Sequence, residues 1–308
     1  MRILIAGGSG FLGSRLTNAL TTAGHDVNIL SRRADPGSAG RTRGPRTIAW
    51  APDGSTGPWA ETCGPIDAVI NLAGESIGEG RWSPARKAVL VASRVTATRS
   101  LVRFVNQASP RPSLLINASA IGFYGDRGED VLTEDAPAGG DFLAALCRDW
   151  ETEARGAQSA ETRVVLLRTG LVLDPGGGAL AKMLLPFKLF AGGPFGTGRQ
   201  FVSWIHRDDW VALVLWLLDA DGVAGPVNAT APGPVTNAEF VHALGRALRR
   251  PAWLPVPAWA LKVALGEMSG PLLLFSQCVM PDRASRAGFS FRYLTLEGAL
   301  SHLLTWRS

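Results

Sequence analysis

Gly7-Gly8-Ser9-Gly10-Phe11-Leu12-Gly13 stands directly behind the apolar run Ile3-Leu4-Ile5-Ala6. Its order is strand, glycine turn, amphipathic helix. Gly7 permits a tight turn, Gly10 lets the backbone approach a pyrophosphate, and Gly13 lets the helix pack closely on the strand. The helix N-terminus then offers unpaired N–H groups and the positive end of its dipole to phosphates. Gly7, Ser9, Gly10, Phe11 and Leu12 are accordingly expected to contact a cofactor. The alternative is a glycine turn that serves packing alone.

Strand and helix patterns alternate outward from this stretch to about residue 230. Strands are expected at 2–6, 27–30, 47–50, 68–72, 114–117 and 164–168, and helices at 12–23, 84–107, 141–155, 208–219 and 237–248. Several strands are apolar with little alternation, as parallel strands covered on both faces should be. The fold class is therefore α/β, a doubly wound parallel sheet. From Pro251 the texture changes to Trp253, Pro255, Pro257, Trp259 and short helical pieces. Residues 1–250 read as a nucleotide-binding domain with substrate-side insertions after about 174, and 251–308 as a small helical cap over a substrate cleft.

The chain has 308 residues, 46% hydrophobic and 19% charged, which describes an ordinary globular protein. No apolar run reaches the length of a membrane span, and the N-terminus reads as a core strand rather than a signal peptide. Cys63, Cys147 and Cys278 are far apart and odd in number, which suits a reducing cytoplasm and offers no metal spacing. Neither a metal nor a membrane partner is expected.

The net charge of +5 owes much to Arg32, Arg33, Arg41, Arg43 and Arg46. A nucleic-acid patch is one reading, but no aromatic-interleaved motif accompanies it, and no nucleic-acid partner is expected. Ser31-Arg32-Arg33 follows the second strand, where dinucleotide folds use an acid for a ribose 2′-OH and arginine for a 2′-phosphate. The planar guanidinium fork suits phosphate and Ser31 adds a hydroxyl donor, so the expected cofactor is NADP(H). Residues 34–45, rich in Gly, Pro, Ser and Arg, read as a mobile loop. Asn71-Leu72-Ala73-Gly74-Glu75 ends the fourth strand, and Leu72, Ala73, Gly74 and Glu75 are expected to lie against the cofactor.

Together with Ser119 and Tyr124-Gly125, these features resemble the extended short-chain dehydrogenase/reductases. A closer resemblance rests on Gly122-Phe123-Tyr124-Gly125-Asp126, Trp150-Glu151, Arg168-Thr169-Gly170, Gly176-Gly177-Gly178-Ala179 and Ser203-Trp204-Ile205-His206-Arg207-Asp208-Asp209. These, with Leu265-Gly266-Glu267-Met268, resemble the atypical group labelled epimerase family proteins, which carry a C-terminal domain of unknown function. The resemblance implies a Rossmann domain binding NADP(H), adds Arg168 to the cofactor contacts, and leaves the substrate open. A homodimer is compatible with it, although no residue fixes an interface.

Typical members of the superfamily use a serine with a tyrosine and a lysine four residues apart on one helix. The lysine lowers the phenol pKa, and the tyrosine trades a proton with the substrate oxygen. Ser119 is present, but Trp150-Glu151 sets a register that puts Leu143 and Cys147 at the tyrosine and lysine positions. Residues 141–151 contain neither tyrosine nor lysine. Three readings remain open: Tyr124 replaces the acid, Cys147 is reactive rather than a buried thiol, or the protein binds NADPH without rapid turnover. Ser119 and Tyr124 are the catalytic candidates, and Lys182, Met183 and Phe187 the substrate-side ones. His206 is expected to be structural, with Asp208 capping the next helix. The leading reading is an NADP(H)-dependent oxidoreductase or epimerase-like enzyme acting on an unknown small molecule; the alternative is a non-catalytic NADPH-binding sensor or partner-binding module.

Overall fold

A computed structural model of the chain describes residues 1–32 and 44–304. Arg33 and nearly all of the loop expected at 34–45 lie outside the described residues. Seven parallel strands form the main sheet: β1 (Arg2–Ala6), β2 (Asp26–Ser31), β3 (Arg46–Ala49), β4 (Ala68–Asn71), β5 (Leu114–Ala120), β6 (Arg163–Thr169) and β7 (Gly225–Ala229). Their spatial order is β7-β6-β5-β4-β1-β2-β3. The direction of winding reverses between β1 and β4. The carboxyl ends of these two strands therefore border the crevice where open α/β sheets take ligands. Six of the strands match the sequence expectation. The seventh begins with Gly225-Pro226, a turn signal that hides an edge strand.

Eight helices matter to the argument: α1 (Phe11–Thr22), α2 (Pro84–Gln107), α3 (Phe142–Arg155), α4 (Gly178–Lys188), α5 (Arg207–Asp219), α6 (Asn237–Leu248), α7 (Ala258–Leu265) and α8 (Leu296–Leu304). Alternate residues of β1 feed two cores. Ile3 and Ile5 pack with Leu16 and Leu20 of α1 and Leu213 of α5. Leu4 and Ala6 pack with Leu101 and Val105 of α2 and Ala154 of α3. Local chemistry fixes the starts: Ser83 accepts the Arg86 N–H with Pro84 at the first helical position, Asp141 accepts the N–H groups of Leu143 and Ala144, and Thr236 with Glu239 forms a capping box.

The cap of α5 differs from expectation. His206, not Asp208, closes the helix, its Nδ1 accepting the Asp208 N–H at 3.0 Å. The imidazole is fully buried, stacks on Tyr293 at 3.7 Å between ring centroids, and faces His302 Nδ1 through Nε2 at 3.1 Å. Tyr293 and His302 belong to the C-terminal segment, so this stack joins α8 to the sheet domain. Elsewhere that segment packs α8 on α6 around a third core and pairs Cys278–Val279 with Val131–Leu132.

Burial pushes the His206 imidazole down to about 4. The unfolded chain therefore binds the extra proton between its ordinary 6.5 and about 4, and stability present above pH 6.5 is lost as pH falls through that window. Urea unfolding should show this group contributing a slope of up to about 1.4 kcal/mol per pH unit. His206→Asn, which retains a capping side chain, should flatten the slope; an unchanged slope would contradict the assignment.

Candidate active site

The crevice begins at the glycine turn. Gly7 has φ +79°, and a Cβ there would lie 2.8 Å from the Leu72 carbonyl carbon, so the turns after β1 and β4 touch. Gly10 N–H donates to Gly7 O at 3.0 Å. A Cβ on Gly13 would sit 2.1 Å from Gly7 O, so only glycine allows α1 to start this close to β1. No side chain caps α1, its first turn carries no acid, and Ser9, Gly10 and Phe11 are exposed with Leu12 half-buried. This amide end can receive an anion. Gly177 and Gly178 lie against the Phe11 ring, and buried Asp174 ties their loop to Arg15 and Arg207.

A buried polar knot shapes the turn after β4. Asn71 Nδ2 donates to Thr98 Oγ1 (2.8 Å) and Asn117 Oδ1 (2.6 Å), while its Oδ1 accepts the Ala73 N–H at 3.1 Å. Gly74 rests on the half-buried Arg94, whose Nη2 donates to Glu75 O at 2.9 Å. The Glu75 carboxylate turns outward and pairs with Arg32 at 3.0 Å. The two residues expected at the cofactor from separate strands thus meet at one point. Ser31 is half-buried at the end of β2.

Ser119 lies near the carboxyl end of β5, 4% exposed, with Oγ donating to Glu151 Oε1 at 2.7 Å. Arg168 grips the same carboxylate through Nε (2.8 Å) and Nη2 (2.9 Å). Its Nη1 donates to the Tyr124 hydroxyl at 3.0 Å, and that hydroxyl donates to Asn228 Oδ1 at 2.7 Å. Two expectations are corrected here. Arg168 has all three nitrogens engaged inside the protein, so it supports the site from behind instead of touching a cofactor. Tyr124 is fully buried between Arg168 and Asn228, and burial raises its phenol pKa, so it is not an exposed proton donor. Cys147 is buried, its thiol pushed up to about 12, as an inert core group should be. Leu143 packs in an apolar cluster with Leu90 and Met268.

On α4, Lys182 is exposed and its Nζ donates to Gly78 O at 3.2 Å across the crevice. Phe187 is corrected: it is 3% exposed and packs with Trp204, Phe240 and Leu244. Met183 lies one turn earlier on the same face and leans on that core, while Lys182 is on the other side. Sequence reasoning missed the Glu151–Arg168 pair. Its signal was present, because two opposite charges sat inside otherwise apolar patterns.

The NAD dependent epimerase/dehydratase family matches residues 3–229, and a domain of unknown function, DUF1731, matches residues 256–303. The chain is 43% identical over 304 residues to the epimerase family protein Mb2239 of Mycobacterium bovis, spanning 98% of this chain and 97% of that one. It is 42% identical to the epimerase family protein YfhF of Bacillus subtilis, over 100% and 99% of the two chains. Among solved structures, human epimerase family protein SDR39U1 (isoform 2) with NADPH superposes with a TM-score of 0.90 at 34% identity, with 99% of each chain covered.

Replacing Glu151 with alanine strands the buried Arg168 charge and should cost about 3–5 kcal/mol by urea unfolding. A loss under about 1 kcal/mol, the range of an exposed pair, would show that the two groups are solvated.

Proposed function

Because the chain belongs to the NAD dependent epimerase/dehydratase family, we propose that it binds NADP(H) at the β1–β4 crevice and moves hydride between that cofactor and a small molecule. The observation carrying this reading is the exposed, uncapped amide end of α1 beside the Leu72–Ala73 turn. The bound nicotinamide would supply the hydride chemistry. The amides of Phe11 and Leu12, at the uncapped end of α1, hold the pyrophosphate. Arg32 takes the 2′-phosphate, leaving Glu75. That exchange is easy, because an exposed ion pair contributes only about 0–1 kcal/mol and a guanidinium–phosphate contact is charge-assisted and bidentate. The NADPH in the human structure supports the choice of the phosphorylated cofactor.

Ser119 is the group left to meet a substrate oxygen. In this reading its hydroxyl turns from Glu151 to donate to that oxygen, while Arg168 holds the Glu151 carboxylate in place through two hydrogen bonds. Oxidoreduction is preferred to epimerisation, which needs the reversible proton exchange that a tyrosine–lysine pair performs. Lys182 at the crevice rim suits an anionic substrate. The free, buried cysteines suit a reducing setting such as the cytoplasm. The burial of Tyr124 and Cys147 favours a second reading, an NADP(H)-binding module with slow or no turnover.

Fluorescence titration should find NADPH bound at least about tenfold more tightly than NADH, with Arg32→Ala removing the difference. Equal wild-type affinities would refute the 2′-phosphate contact, and absence of binding would refute the whole reading. Where a carbonyl compound consumes NADPH, Ser119→Ala should lower kcat by roughly 10²-fold or more. NADPH binding without consumption across a carbonyl panel selects the second reading.

A further inference from the structure

The carboxylates are unevenly spread along the chain. Residues 175–207 and 240–266 contain no Asp or Glu, yet carry eight lysines and arginines between them. Among the described residues, seven of the twelve large apolar side chains that are exposed fall in these same two runs, which are about a fifth of the chain. The fold lays the runs side by side. Leu254 N–H donates to Gly192 O at 3.1 Å, Val256 N–H to Pro194 O at 2.9 Å, and Gly196 N–H to Val256 O at 2.9 Å. The Arg250 guanidinium sits over the Phe190 ring at 4.7 Å.

The result is one surface region that is both apolar and cationic. Leu185, Leu189 and Phe190 lie at the end of α4, Trp253 stands beside Leu254, whose amide bonds Gly192, and Trp259 and Val263 are one turn apart on α7. Trp253 and Trp259 are 68% and 70% exposed, unusual for the largest apolar side chain. At the end of α6 a depression of about 520 Å³ is lined by Arg246, Arg249, Arg250 and His242. Arg246 is paired with Glu297, but among the described residues no carboxylate pairs with Lys188, Arg249, Arg250 or Lys262.

We infer that this face docks the protein on an anionic phospholipid bilayer. Trp253, Trp259 and Leu189 enter the boundary between headgroups and acyl chains, and Arg249 and Arg250 meet lipid phosphate. Protruding Trp and Leu flanked by unpaired Lys and Arg are the composition of surfaces that lie in the membrane interface. A second copy of the chain is the poorer occupant, since a two-fold contact would press like charges together. The expectation of no membrane partner rested on span length. No helix among the described residues is long and apolar enough to cross a bilayer, and lying on one requires no span. Because α4 also carries Lys182 to the crevice rim, the docked face adjoins the site opening.

Co-sedimentation of the full chain with vesicles tests this. Phosphatidylcholine vesicles containing roughly one-third phosphatidylglycerol should retain the protein and shift its tryptophan emission to the blue, whereas phosphatidylcholine alone should not. Arg249→Ala/Arg250→Ala should weaken retention about thirtyfold, and Trp253→Ala/Trp259→Ala at least roughly tenfold. All four side chains are at the surface, and unchanged urea midpoints will show that the variants fold. Absence of sedimentation overturns the inference. So does loss in the arginine variant with none in the tryptophan variant, which would mark a purely electrostatic surface for an acidic protein.

Discussion

The approach of α1 to β1 at Gly13 is the constraint on which the rest depends. A single methyl group at that position would lie 2.1 Å from the Gly7 carbonyl oxygen. Glycine there allows the helix to begin against the strand, which aims its first amides into the opening between β1 and β4. The same turn touches Leu72, so the position of β4 and the Asn71 knot follow from it. The anion-receiving end is thus built from backbone, and its shape is set before any charged side chain is added.

Behind it stands a second device of different character. Glu151 and Arg168 are both buried, and their ion pair links α3 to β6 while holding Ser119 on one side and Tyr124 on the other. An isolated charge of either sign would be unsustainable there; the bidentate geometry and the additional hydrogen bonds make the pair tolerable. Leu143 and Cys147 stand where the resemblance puts tyrosine and lysine, and this carboxylate–guanidinium unit lies one turn further along α3 and on β6. The polar support of Ser119 therefore comes from a carboxylate on α3, itself held by Arg168 of β6, and not from a phenol.

The sheet was readable from the sequence because buried parallel strands leave continuous apolar runs and glycine turns leave fixed spacings. Helix α2 was readable to the residue because Ser83-Pro84 is an unambiguous start. Local geometry was readable where backbone carries it, as at the glycine turn from Gly7 to Gly13. It was less readable where a side chain's direction decides. Tyr124 and Phe187 carry the right chemistry for a cleft, but tertiary packing turns both inward, and no local pattern reports that. His206 takes the capping role expected of Asp208 because its Nδ1 accepts the Asp208 N–H two residues on, and its ring is stacked on Tyr293 far along the chain.

Hydrogen–deuterium exchange of the full chain with and without saturating NADPH tests the central claim most directly, because it reports where the nucleotide lies without assuming turnover. Slowed exchange should appear at the amides of residues 8–13 and 72–75, on the two turns that border the crevice. Saturation with NADPH that leaves both turns exchanging as in the free protein would contradict the claim, whatever protection appeared elsewhere.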